Sequence, residues 1–176
     1  MKYQISAVCL LLSFFALNAA CAEEAAKGEE TKVDTHAFTL PAAWKKVPPA
    51  NSMRAYQAAI TKAEGDAEDA EFVVSKSGGG LDANIKRWAS QFGGDGALKK
   101  KSELKTADGT TATFVEIEGE YSAMTMQGPQ PPKAGYAQLG AIISTADGDF
   151  FLKLVGPKKT VDANKAAFQA LVGSFK

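Results

Sequence analysis

Cysteine is nearly absent from this chain. Its two cysteines, Cys9 and Cys21, both lie within the first 22 residues, and the remaining sequence has none. An internal disulfide in the body of the protein is therefore excluded, as are a cysteine nucleophile and any thiolate metal site. Histidine is almost as scarce. The single one, His36, falls in a polar stretch expected to precede the folded domain, so neither a Ser-His-Asp triad nor a histidine-based zinc site is expected. Long apolar runs are missing too: after residue 17 nothing approaches the roughly 20 apolar residues that a membrane-spanning helix needs. Nor does one sign of charge dominate. The chain has 20 Lys and Arg against 20 Asp and Glu, so no global field draws in nucleic acid or an anionic membrane surface. The short basic clusters Lys45-Lys46, Lys99-Lys100-Lys101 and Lys158-Lys159 read as solvated turns. No internal repeat of about 20–50 residues is visible.

What is present begins at the N-terminus. MKYQ is followed by the apolar run ISAVCLLLSFFAL, then NAACA, then the acidic EEAAKGEE. A charged start, an apolar stretch of about 7–15 residues and a small-residue exit describe a secretory signal peptide over residues 1–22. The expected destination is outside the cytoplasm, periplasmic or extracellular. Ala20-Cys21-Ala22 satisfies the small-x-small rule for cleavage before Glu23. Ala19-Ala20-Cys21 also resembles a bacterial lipobox, which would make Cys21 a lipidated first residue, although Asn18 stands where a lipobox usually has Leu, Val or Ile. Both endings stay open, and only the lipid on Cys21 would hold the protein on a membrane.

Residues 23–36 are polar, rich in Ala, Glu and Lys, and read as a flexible leader. Residues 37–176 read as a single domain. AFTLP and WKKV suggest a short strand pair or an extended segment, broken by Pro41 and closed by Pro48-Pro49. RAYQAAI (54–60) and EFVVSKS (71–77) read as strands joined by an acidic loop. Glycines 78–80 then release the chain into a helix, with Asp82 the expected N-cap. Ile85, Trp88, Ala89 and Phe92 form one apolar stripe on that helix, which Gly93-Gly94 ends. A strand is expected over 111–121. GYAQLGAIIST and DFFLKLVGP follow as strands joined by the hairpin signal Ala146-Asp147-Gly148. A last helix is expected over 161–175, burying Val161, Phe168, Leu171, Val172 and Phe175. Adjacent hairpins with two widely spaced helices define an α+β fold: an antiparallel sheet flanked by helices.

Few patterns carry chemistry. Glu116, Glu118 and Glu120 alternate along one strand and share a face, so they are metal candidates for a hard cation. The same alternation, with Val115 and Ile117 pointing the other way, marks a half-buried strand with a wet face. Glu64, Asp66, Glu68 and Asp69 lack the spacing of a calcium loop and read as an acidic hairpin tip. The three glycines at 78–80 lack the Lys-Ser/Thr of a phosphate-binding loop. Trp88 belongs to the core, whereas Trp44, between lysines and Pro-Pro, reads as partly exposed and able to touch a partner. Residues 122–135 join two strands by more chain than a hairpin needs. Met124, Met126 and Pro131 give that segment adaptable apolar contact area on a restricted backbone. No cofactor and no catalytic constellation are expected.

The phrases FTLPAAWKKVPPANSMR, LDANIKRWASQF, FFLKLVGPKKTV and AAFQALVGSFK occur in this order along the chain. Together they resemble secreted proteins of unknown function of planctomycete type, whose domain is similar to the PsbP/Mog-like α/β/α sandwich. The resemblance covers nearly all of residues 37–176 and implies an antiparallel sheet with helices on both faces. That fold hosts a photosystem accessory subunit and a nuclear GTPase-binding protein, so by analogy of fold it implies an accessory or binding role. The expected function is that of an exported, non-enzymatic envelope protein that binds another protein or a small ligand. The alternative is a carboxylate-based metal-binding protein or hydrolase acting outside the cytoplasm. Carboxylates converging in a pocket would favour the alternative; an exposed apolar patch near Trp44 or the 122–135 loop would favour a partner.

Overall fold

A computed structural model describes residues 28–76, 78–125 and 128–176. Chain order begins with a hairpin of β1 (Glu29–Val33) and β2 (His36–Leu40), followed by β3 (Trp44–Lys46), β4 (Arg54–Ile60) and β5 (Ala70–Lys76). Helix α1 (Leu81–Ser90) and a 3-10 turn (Asp95–Ala97) lead into β6 (Leu98–Lys105) and β7 (Thr111–Tyr121). A small pair, β8 (Met124–Thr125) and β9 (Gly128–Pro129), precedes β10 (Lys133–Thr145) and β11 (Gly148–Pro157). The chain closes with α2 (Lys158–Ala163) and α3 (Lys165–Gly173). No helix among the described residues is long and apolar enough to cross a membrane.

Seven strands form one sheet in the order β3-β4-β5-β11-β10-β7-β6, and every pairing in it is antiparallel. The sequence order explains the layout. After β5, α1 crosses to the far edge, β6 and β7 pair there, and the β10–β11 hairpin fills the middle beside β5. That hairpin turns through two residues, Ala146 and Asp147, with Thr145 opposite Gly148. Gly148 takes a φ of 115, which a side chain would oppose.

The central strands are buried on both faces, which is why AIIS and FFLKLV read as near-continuous apolar runs. On one face Leu139, Ala141, Ile143, Phe150, Leu152 and Leu154 meet Val161, Phe168, Leu171, Val172 and Phe175. On the other, Val115, Ile117, Ile142, Phe151 and Val155 meet Ile85, Trp88 and Phe92. Helices therefore cover both faces of the sheet. Trp88 fits against Gly140, where a methyl group would come within 2.4 Å of its ring.

Several local expectations differ from the structure. The polar leader is part of the fold over 29–36. Its β1–β2 hairpin buries Val33, Phe38 and Leu40 in the first core, and Ala37 exchanges backbone hydrogen bonds with Lys176 at 2.9 and 3.0 Å. Val33 is the one apolar residue of β1, so the strand is held by long-range backbone pairing that composition does not reveal. His36 accordingly is no linker residue: its ring stacks on Phe175 and meets Phe150 edge-on. AFTLP and WKKV do not pair with each other, since β2 pairs with β1 and β3 with β4. Asp82 lies inside the first turn of α1, whose N-cap is Gly80, with no side-chain capping bond; Asn84 instead ties the preceding glycines down by donating to the carbonyls of Gly78 and Gly80. The last helix is two helices, broken at Asn164. Strand β6, with its four lysines, was not expected at all; it is an edge strand, and lysines there discourage pairing with another chain.

Candidate functional site

The carboxylates singled out in the sequence are engaged by lysines. Glu116 Oε2 lies 2.6 Å from Lys165 Nζ, and Lys100 stands 3.9 Å from its other oxygen. Glu118 lies 2.9 Å from Lys158, which also holds Asp162, and Glu120 is exposed. Among the described residues no three His, Cys, Asp or Glu side chains gather where a metal ion could sit. The acidic loop is equally committed. Asp66 accepts from the backbone N–H and the hydroxyl of Thr160 at the start of α2, and Ala63 N–H donates to that hydroxyl oxygen. Glu68 accepts from Lys133 and from the Tyr136 hydroxyl. Charge that looks free in the sequence thus ties loops to helices and strands.

Trp44 departs from its expected exposure: it is 3 % exposed and lies in the core against Phe72. Its indole N–H donates to Asn164 Oδ1 at 2.9 Å, so it braces the break between α2 and α3. Pro131 is exposed on the loop before β10. Cys21 and Met126 lie outside the described residues. Met124 remains a surface residue, 66 % exposed, and with Met53 at 73 % it is one of two large apolar side chains so exposed among the described residues.

Those two methionines are far apart in sequence yet flank one groove of about 580 Å³. It forms because α1 covers only part of its face of the sheet, leaving the β4–β5–β11 side open. The volume lies within the ordinary range of ligand pockets, about 300–1,000 Å³. Val73, Phe151 and Trp88 supply apolar wall, and Arg54, Arg87, Lys76, Lys153 and Gln91 supply polar groups.

The charges in this groove do not balance. No carboxylate among the described residues lines it; Glu71, on the neighbouring stretch of β5, already accepts through Oε2 from Arg54 at 2.6 Å and from Gln57 Nε2 at 2.8 Å. Lys76 pairs with Asp34 at 3.0 Å. Arg87 and Lys153 form no ion pair and no side-chain hydrogen bond with any described residue. Lys153 sits on the central strand, opposite Gly140 and Val73, so its stem crosses the apolar floor. Burial pushes the Lys153 ammonium down to about 8 from its ordinary 10.5; Glu71 works against that shift, and the charges of Arg54 and Arg87 add to it. Nearby Tyr121 is raised, first by burial and then by Glu71. The side-chain oxygen of Gln91 is buried with no hydrogen-bond partner. A poorly hydrated cation without a counter-charge, beside an acceptor without a donor, is an arrangement that an anionic ligand with a donor group would complete.

Sequence reasoning passed over Arg54, Glu71, Arg87 and Lys153, because no spacing links them; the sheet brings them together. One signal was available. Lys153 is the lone charge in FFLKLV, a run that reads as buried on both faces, and a charge in such a strand needs a reason.

An antiparallel sheet sandwiched by helices defines an α+β fold of PsbP-like form. The chain is similar to the cyanobacterial PsbP protein, CyanoP, from Synechocystis sp. PCC 6803, solved in solution. The TM-score is 0.52 at 14% identity, over 86% of this chain and 92% of that one. That likeness shows the fold. No family model matches the chain, and no curated protein does.

Proposed function

We propose that the protein is a non-enzymatic accessory domain that works outside the cytoplasm and binds a partner or ligand through the groove beside α1. The observation that carries this reading is the pair of unpaired cations, Arg87 and Lys153, held over an apolar floor. A half-buried ammonium with no ion-pair partner costs stability, and a binding site is a place where such a cost has a use. The PsbP-like fold supports an accessory role by analogy. Export would follow from residues 1–22, and the mass of the protein recovered from its cells separates release at Glu23 from a lipid on Cys21. No observation favours the alternative of a carboxylate-based hydrolase or metal protein, since Glu116 and Glu118 are tied to lysines.

Titration of the 15N-labelled protein with acetate and with inorganic phosphate tests the reading. Backbone signals of Ser75, Arg87, Gln91 and Lys153 are expected to move together and to saturate. A weak, non-saturating drift spread over the whole surface would overturn it.

A further inference from the structure

We infer that the groove receives the C-terminal residue of a partner polypeptide, its free carboxylate between Arg87 and Lys153 and its apolar side chain on the wall of Val73, Phe151 and Trp88. This inference rests on the reading of the groove as an anion site and narrows it to one chemistry.

Three features of the groove select that chemistry. Arg87 and Lys153 call for an anion, and Arg54, already shared with Glu71, stands behind them as a further positive charge. The orphaned oxygen of Gln91 calls for a donor close to that anion. A simple carboxylate such as acetate has none to offer and a hydrogen phosphate has only the hydroxyl of the anion itself, whereas the last residue of a polypeptide carries an amide N–H on the same carbon that bears its carboxylate. The apolar wall calls for a side chain, which a simple inorganic anion also lacks.

The rims argue for a polypeptide over a small acid. Met53, on the loop before β4, and Met124, in β8, are the two exposed large apolar side chains of the described residues, and both border this groove. Exposed apolar surface next to a pocket marks a protein contact, and methionine adapts to varied partners. A ligand confined to the cations on the floor would leave most of their exposed surface, 73 % for Met53 and 66 % for Met124, bare. A chain that ends in the pocket and runs out over its rim would cover them.

The experiment uses the 15N-labelled protein and a synthetic probe, N-acetyl-Ala-Ala-Ala-Leu, as the free acid and as the C-terminal carboxamide. The free acid is expected to shift the Ser75, Gln91 and Lys153 amides and the Met53 and Met124 methyls saturably. The carboxamide is expected to bind at least about tenfold more weakly, since it forfeits a charge-assisted hydrogen bond. Arg87→Gln, at an exposed position where folding is not at stake, is expected to weaken the free acid by about fivefold to tenfold. Met53→Ser with Met124→Ser is expected to weaken the tetrapeptide more than it weakens N-acetyl-leucine. The groups facing Lys153 are Glu71, Arg54 and Arg87. Because the arginines do not titrate in the working range, loss of affinity between about pH 7 and pH 9.5 reports Lys153 itself.

Equal binding of acid and carboxamide would overturn the inference. So would a tetrapeptide that moves the methionine methyls no further than N-acetyl-leucine does. If acetate or phosphate saturates the groove while the peptide acid binds no better, the anion site stands and the C-terminal reading falls. If none of these probes moves the groove signals, both fall.

Discussion

Replacing Lys153 by Met removes the ammonium and keeps the stem that packs along the sheet. The ammonium falls from 10.5 to about 8 in the folded chain, and each pKa unit corresponds to about 1.4 kcal/mol. Taken whole, the shift is an upper bound of about 3.4 kcal/mol; because the side chain is partly exposed, water screens some of it, and about 2 kcal/mol is the working figure. The sign follows from proton binding. Between about pH 8 and pH 10.5 the unfolded chain holds a proton that folded Lys153 has lost, so wild-type stability rises with pH across that window. Below it the full penalty is present, and above it none is. Lys153→Met is therefore expected to be about 2 kcal/mol more stable than wild type near pH 7, with the gap closing towards pH 10. Tyr56, Tyr121 and Tyr136 are all raised and push stability down near pH 10, but equally in both proteins. The difference between two urea-melt series, followed by circular dichroism at several pH values, isolates Lys153. A variant less stable than wild type at pH 7, or a gap that stays constant with pH, would refute the reasoning.

Three further outcomes test the packing and the loop anchors. Gly140→Ala places a methyl 2.4 Å from Trp88 and 2.9 Å from Val115, so a loss of about 1–3 kcal/mol in urea melts is expected, with altered tryptophan fluorescence. Asn164→Ala leaves the Trp44 indole N–H buried without its acceptor and removes the bond to the Thr160 carbonyl; about 1–3 kcal/mol should be lost, and an unchanged melt would mean that Trp44 is not braced there. Thr160→Val deletes the hydroxyl that links Ala63 and Asp66 to α2, so a glutamyl protease should cut between residues 61 and 69 faster than in wild type while the sheet core stays intact.

Much of the architecture was legible because it is written in local periodicity. The strand over 111–121, the hairpin at Ala146-Asp147-Gly148 and the stripe Ile85, Trp88, Ala89 and Phe92 each appear where patterning places them. The misses share one cause. β1 and β6 are polar edge segments whose order comes from distant backbone partners, so their composition resembles a leader and a surface turn. Trp44 was misjudged on its lysine neighbours: Lys45 alternates away from it and Lys46 reaches out over the Tyr56 ring, while the indole itself enters the core. The groove was invisible for a stronger reason: Arg54, Arg87 and Lys153 sit on three separate elements, and only the strand order makes them neighbours. Met124 was legible as adaptable surface; its pairing with Met53 across a pocket was not.

The 13Cε signal of Lys153, followed through pH in the presence and absence of the acid-terminated tetrapeptide, tests the groove most directly. The expected midpoint is about 8 in the free protein, rising when the free acid is added and standing still with the carboxamide. A midpoint at the ordinary lysine value that neither peptide moves would contradict the account, because Lys153 would then be a solvated surface amine with no charge to neutralise.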